Sequence, residues 1–211
     1  MNSAMTQRDL IVYLIDDDKA VLNSQLELLT AAGVSVQSFS SAESFLATLT
    51  PQSAGCVITD LKMSGMSGLD LQRKLIASNS PLPLIVVSGH ANVPTTVEVM
   101  ENGAITLLQK PYDAHEFLEA VQRGLDQFVE NRGRSAELNS IQRRLDSLSE
   151  AEMSVLELMI AGRPNKVIST ELEISMRTVD RRRSIVLEKM QVDSAPELAR
   201  LVTLVEAAPA T

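Results

Sequence analysis

Over the first 130 residues, short apolar runs alternate with longer stretches whose apolar positions recur every three or four residues. The runs fall at 10–15, 34–39, 56–58, 84–87 and 104–108. Segments this short, rich in Val, Ile and Leu and bounded by polar residues or glycine, read as buried strands. Between them the period is helical. Val21, Leu22, Leu26 and Leu29 share one face of a helix over 19–32 that Gly33 closes, and helices are expected over 41–49, 69–77, 94–101 and from Asp113 toward Asn131. Ser40 with Glu43, and Asp113 with Glu116, have capping-box spacing. Strand and helix alternate five times. That order calls for a doubly wound parallel sheet covered by helices on both faces.

From Gly133 onward no strand pattern remains. Leu138, Ile141, Leu145 and Leu148 form a short apolar stripe, which reads as a helical linker over 132–147 rather than a dimer zipper. Ser149 and Glu152 make a capping box, with Leu148 and Met153 as its hydrophobic staple. Gly162 ends that helix, 165–172 is a second, Ser175 caps a third reaching about Met190, and Ser194 with Glu197 caps a last. A short helix, a tight turn and a longer helix inside a small all-helical unit suggest helix-turn-helix. The expected domains are therefore 1–131, the linker and 148–211.

Charge divides along the same line. Residues 1–130 carry a net −8, 131–148 a net +2 and 149–211 a net −2. An acidic front half argues against nucleic-acid binding there, while in the back half position matters more than the sum. The single cysteine, Cys56, lies in an apolar strand and excludes a disulfide within one chain. No apolar stretch has the length of a membrane span, and the first residues are too polar for a signal peptide, so a cytoplasmic protein is expected. His90 and His115 stand apart without companion ligands and are not read as metal ligands.

Four of the strands end in polar groups that can meet: Asp16 and Asp17, Asp60, Ser88, and Lys110. Ligands of open α/β sheets collect at such carboxyl ends. Crowded carboxylates invite a small hard cation such as Mg²⁺. A lysine and a hydroxyl beside them can hold the oxygens of a transferring phosphoryl group, with Asp60 as nucleophile. Asp18, third in its run, starts the following helix.

These residues carry a resemblance. Asp16-Asp17 after Leu-Ile, Asp60 in Thr-Asp-Leu-Lys-Met, Ser88 in Val-Ser-Gly-His and Lys110 in Gln-Lys-Pro resemble the receiver domain of two-component response regulators, a (βα)5 flavodoxin-like fold, over residues 10–130. The resemblance implies that Asp60 accepts a phosphoryl group from a sensor histidine kinase. It further implies that Asp16, Asp17, Asp60 and the backbone carbonyl of Lys62 hold Mg²⁺. Two positions depart from the pattern. Ser64 stands where the loop usually has proline, and Leu107 where an aromatic ring usually moves with the hydroxyl residue, here Ser88, as the switch.

Residues 148–206 resemble the LuxR-type DNA-binding domain of FixJ-like response regulators. The match rests on the Leu-Ser-x-x-Glu start, Asn165-Lys166-x-Ile168, Ile174-Ser175-x-Arg177-Thr178-Val179 and Glu188-Lys189-Met190. Pro164 replaces a serine cap, leaving Asn165 to take over. Val179, Val186 and Met190 form the core stripe of the third helix. Arg181, with Arg177, Thr178 and Ser184, is then placed for base edges in the major groove of double-stranded DNA. Arg182 and Arg183 would reach phosphates or acidic neighbours, and Lys166 and Lys189 the phosphate backbone. Asp180 repels phosphate, unless it accepts from a cytosine amine or orients an arginine. The reading is a transcriptional response regulator that pairs on activation and meets RNA polymerase. Leu107 keeps open a second class, a protein-interaction module working without phosphorylation.

Overall fold

The computed structural model describes residues 9–89 and 92–208, so His90 lies outside the described residues. Contacts divide the chain into two units, Met1–Arg132 and Gly133–Thr211.

The first unit is built on β1 (Ile11–Ile15), β2 (Ser35–Phe39), β3 (Gly55–Asp60), β4 (Leu84–Ser88) and β5 (Thr106–Gln109), all parallel in the order β2-β1-β3-β4-β5. β3 and β4 are buried at every position, as expected of central strands covered on both faces. Between the strands run α1 (Lys19–Ala31), α2 (Ala42–Leu46), α3 (Gly68–Ala77) and α4 (Val93–Glu101). Asp18 caps α1, its carboxylate accepting from the N–H groups of Ala20 and Val21. The order reverses between β1 and β3, which puts the switch point of the sheet where Asp16 and Asp60 leave it.

Two local expectations are corrected. The 40/43 capping box does not form: Ser41 caps α2 and accepts from Ser44 N–H, while Glu43 reaches the Met66 N–H instead. The helix expected to stop near Asn131 continues as α5 (Ala114–Asp146) through Gly133. One glycine costs a helix interior about 1 kcal/mol, too little to end 33 residues of it.

The second unit contains α6 (Glu150–Ile160), α7 (Asn165–Glu171), α8 (Met176–Met190) and α9 (Ala195–Glu206). Ser149 and Glu152 form the expected capping box. Val179, Val186 and Met190 are buried in one core with Val155, Leu156, Met159 and Leu198. Ile141 joins that core, with Leu145 and Leu148 packed against it, so these three stripe residues are spent inside the unit. No helix among the described residues is long and apolar enough to cross a membrane.

Candidate functional site

β1 and β3 bring two carboxylates level. Their register ends at Ile15 opposite Thr59, and the next residues are Asp16 and Asp60. Asp16 is 3% exposed and Asp60 9%. Each carboxylate has one oxygen on the local backbone: Asp16 Oδ1 accepts from Asp18 N–H at 2.9 Å, and Asp60 Oδ2 from Lys62 N–H at 2.7 Å. Each other oxygen takes a bond from Lys110, at 3.1 Å to Asp16 Oδ2 and 2.7 Å to Asp60 Oδ1. Lys110 follows β5, and its own N–H donates to the Ser88 carbonyl at 2.8 Å. Ser88, 1% exposed, ends β4 on the rim of the same open pocket as Asp16, Asp17, Asp60, Lys62 and Lys110.

Burial works against the charge on Asp16 and raises its pKa, although the Asp18 N–H and Lys110 oppose it. Burial also works against the Lys110 ammonium, but hydrogen bonds and charge from Asp60 and Asp16 outweigh it and hold its pKa above the usual lysine value. One ammonium thus faces two carboxylates, with a third close by on Asp17. The surplus negative charge and the all-oxygen donors fit a small hard cation. The Asp17 carboxylate is directed to the loop after β3, where its Oδ2 accepts from the Ser64 N–H at 2.7 Å. That amide, then the Ser64 hydroxyl, holds the Asp17 pKa below the carboxylate norm.

Two glycines shape the loop. A Cβ at Gly68 would sit 2.4 Å from the carbonyl oxygen of Asp60, so only glycine lets α3 start against β3. Gly65 takes φ +95, a backbone that other residues rarely adopt. Leu107 is half-buried on β5, opposite Val86 and packed on the sheet core. Cys56 is a buried thiol whose pKa is pushed up to about 12 by burial, and it is inert there.

In the second unit α7, a turn and α8 follow one another, and Ser175 caps α8 by accepting from Thr178 N–H. Arg177, Arg181 and Ser184 are exposed on α8, Thr178, Arg182 and Arg183 are half-buried, and Lys166 is exposed on α7. Lys189 is placed differently from its sequence reading. Its ammonium donates to Glu152 Oε2 at 2.6 Å and to the Ser147 carbonyl at 3.0 Å, which commits it to the cap of α6 rather than to phosphate. Asn165 does not cap α7 either. Pro164 is the N-cap without a side-chain bond, and Asn165 Nδ2 donates to Asp180 Oδ1 at 2.7 Å. That bond accounts for Asp180: it ties α8 to the start of α7. Sequence reasoning missed this pair and the Glu43–Met66 contact, because neither lies within one turn of its partner.

A family model of the response regulator receiver domain matches residues 12–122, and one of bacterial regulatory proteins of the luxR family matches 146–202. The transcriptional regulatory protein FixJ of Azorhizobium caulinodans is 39% identical over 199 residues, covering 94% of each chain. The response regulator protein TodT of Pseudomonas putida is 36% identical over 197 residues, 93% of this chain and 87% of that one. Among solved structures, the response regulator StyR aligns with a TM-score of 0.80 at 35% identity, covering 92% of this chain and 98% of that one. Full-length FixJ from B. japonicum aligns with a TM-score of 0.58 at 37% identity, covering 94% and 98%. The fold and the strand-end cluster define a receiver. The chain belongs to the FixJ-like two-component response regulators, which join a receiver to a LuxR-type DNA-binding domain. This membership favours the regulator reading over the phosphorylation-independent interaction module.

Proposed function

We propose that Asp60 accepts a phosphoryl group from a sensor histidine kinase and that the second unit answers by binding double-stranded DNA. The observation that carries the chemistry is the Lys110 ammonium shared between Asp60 and Asp16 at the ends of neighbouring strands. An Asp60 carboxylate oxygen forms the new bond to phosphorus as the bond from phosphorus to the donor nitrogen breaks. Asp16, Asp17, Asp60 and the Lys62 carbonyl would hold Mg²⁺. When bound, Mg²⁺ offsets charge on the phosphoryl oxygens. Lys110 is fixed beforehand beside the nucleophile and takes up one of those oxygens as charge builds there, and the Ser88 hydroxyl takes another. Leu107, beside this region on β5, is the switch position.

On the output side Arg181, with Arg177, Thr178 and Ser184, reads base edges from the exposed face of α8, and Asp180 keeps α8 in register with α7. Lys166, Arg182 and Arg183 meet phosphates. The receiver covers 1–131, a helical linker 132–147 and the DNA-binding domain 148–211. The protein works in the cytoplasm as a homodimer on activation, with RNA polymerase as its further partner. The testing experiment is a selection from randomised duplexes by the full chain, with and without a small phosphodonor and Mg²⁺. One enriched motif, lost on Arg181→Ala, is expected. No enrichment under either condition would overturn the DNA reading.

A further inference from the structure

The two acidic residues that follow β1 are held in different ways. Asp16 is paired with Lys110, whereas Asp17 Oδ2 accepts from the Ser64 backbone N–H at 2.7 Å. The loop that carries Ser64 is also held from its other side, where Glu43 Oε1 on α2 accepts from the Met66 N–H at 3.0 Å. Between these two amides lies Gly65 at φ +95, and a Cβ there would come within 3.1 Å of Glu43 Oε1. Two carboxylates, one from the loop after β1 and one from α2, thus pin Ser64 and Met66 on either side of Gly65.

We propose that the Ser64 N–H competes with the divalent cation for the Asp17 carboxylate and so sets the cation affinity of the pocket. The inference rests on reading that pocket as the Mg²⁺ site of the receiver. As the side chains stand, no group of three His, Cys, Asp or Glu among the described residues is arranged to hold a metal ion. Mg²⁺ tolerates little departure from octahedral geometry and short oxygen distances. Asp17 serves the cation with the oxygen that now accepts from Ser64, so that binding gives up the amide bond. The loop does not follow, because Glu43 holds Met66 in place. The bond lost is charge-assisted, stronger than one between neutral groups.

A proline at this position has no N–H to offer, which makes Ser64→Pro the direct probe. Ser64→Ala keeps the N–H and loses only the hydroxyl. Mg²⁺ binding to the full chain is measured by titration calorimetry for the parent and both variants. The Ser64 amide resonance of the parent is followed in the same titration. Ser64→Pro is expected to bind Mg²⁺ about tenfold tighter, the low end of what one hydrogen bond to a charged group contributes. Ser64→Ala, which keeps that N–H, binds as the parent does, and the Ser64 resonance of the parent moves in step with Mg²⁺ saturation. A damaged loop would weaken binding, so tighter binding is not a structural side effect. Equal or weaker binding by Ser64→Pro overturns the competition. If that variant fails to fold, a Ser64 resonance unmoved at saturation overturns it instead. Absence of Mg²⁺ binding in all three proteins would overturn the cation reading of the pocket, and the competition with it.

Discussion

The Lys110 ammonium donates to Asp60 Oδ1 at 2.7 Å, from the residue after β5 to the last residue of β3. The same ammonium reaches Asp16 Oδ2 at 3.1 Å, so one cation holds two carboxylates, and on Asp16 it opposes the penalty that burial puts on the charge.

Lys110→Ala removes that cation and leaves Asp16 and Asp60 uncompensated. Breaking a fully buried pair costs several kcal/mol, and Lys110 keeps 26% of its side chain exposed, so a loss of about 1–3 kcal/mol is expected. On the proposed reading, Mg²⁺ would supply positive charge to the same pair of carboxylates and would bind the folded state alone. Urea unfolding with and without excess Mg²⁺ should show the gap to the parent narrowing when the cation is added. An equal gap in both conditions would contradict the shared-cation account.

Strand ends were legible because four of the apolar runs give way, within two residues, to a polar side chain of the candidate site. Asp16, Asp60, Ser88 and Lys110 are each at, or one residue past, the end of a strand. Helix starts were legible where both partners lie within one turn, as Ser149 and Glu152 do. Glu43 has the same spacing from Ser40 but finds a stronger claim in Met66, 23 residues away. Lys189 read as a phosphate contact for the same reason: its partner Glu152 is 37 residues distant. A local pattern identifies a side chain with a charge to place, and tertiary packing decides where it goes.

The Lys189–Glu152 pair gives the second unit a pH dependence. Lys189, then the Ser149 N–H, holds the Glu152 pKa below the usual 4.5. A depressed carboxylate stabilises the fold above its unfolded pKa, and that contribution is lost as pH falls through the folded value. Glu152→Gln should therefore lower amide-exchange protection of Val155 and Val186 at neutral pH. Well below pH 4.5 the difference from the parent should fade. A difference unchanged by acid would contradict the pairing.

DNA binding should separate the two kinds of contact. Arg181→Ala is expected to cost about 1–3 kcal/mol and to relax preference at one position of the site. Lys166→Ala should weaken all duplexes alike and lower the salt slope by about one unit. Titrations of matched and mismatched duplexes over a salt series distinguish them. Uniform weakening by both variants would contradict the assignment of the exposed α8 face.

Phosphorylation shifts an equilibrium only by its differential interaction with the two states. Leu107 is half-buried on β5, at the position where receivers usually carry the switching ring. The smaller side chain should distinguish the states by on the order of 1 kcal/mol less packing. The unphosphorylated protein should then be appreciably active, and Leu107→Tyr should widen the response several-fold. Sedimentation and DNA titration with and without phosphodonor measure it on both proteins. A response above roughly a hundredfold in the parent would contradict this.

The most direct measurement is the intact mass of the full chain after incubation with a small phosphodonor and Mg²⁺. The parent should gain the mass of one phosphoryl group, and Asp60→Asn should gain none, because its amide offers no carboxylate nucleophile beside Lys110. Undiminished labelling of Asp60→Asn would place the acceptor elsewhere and contradict the account of the site.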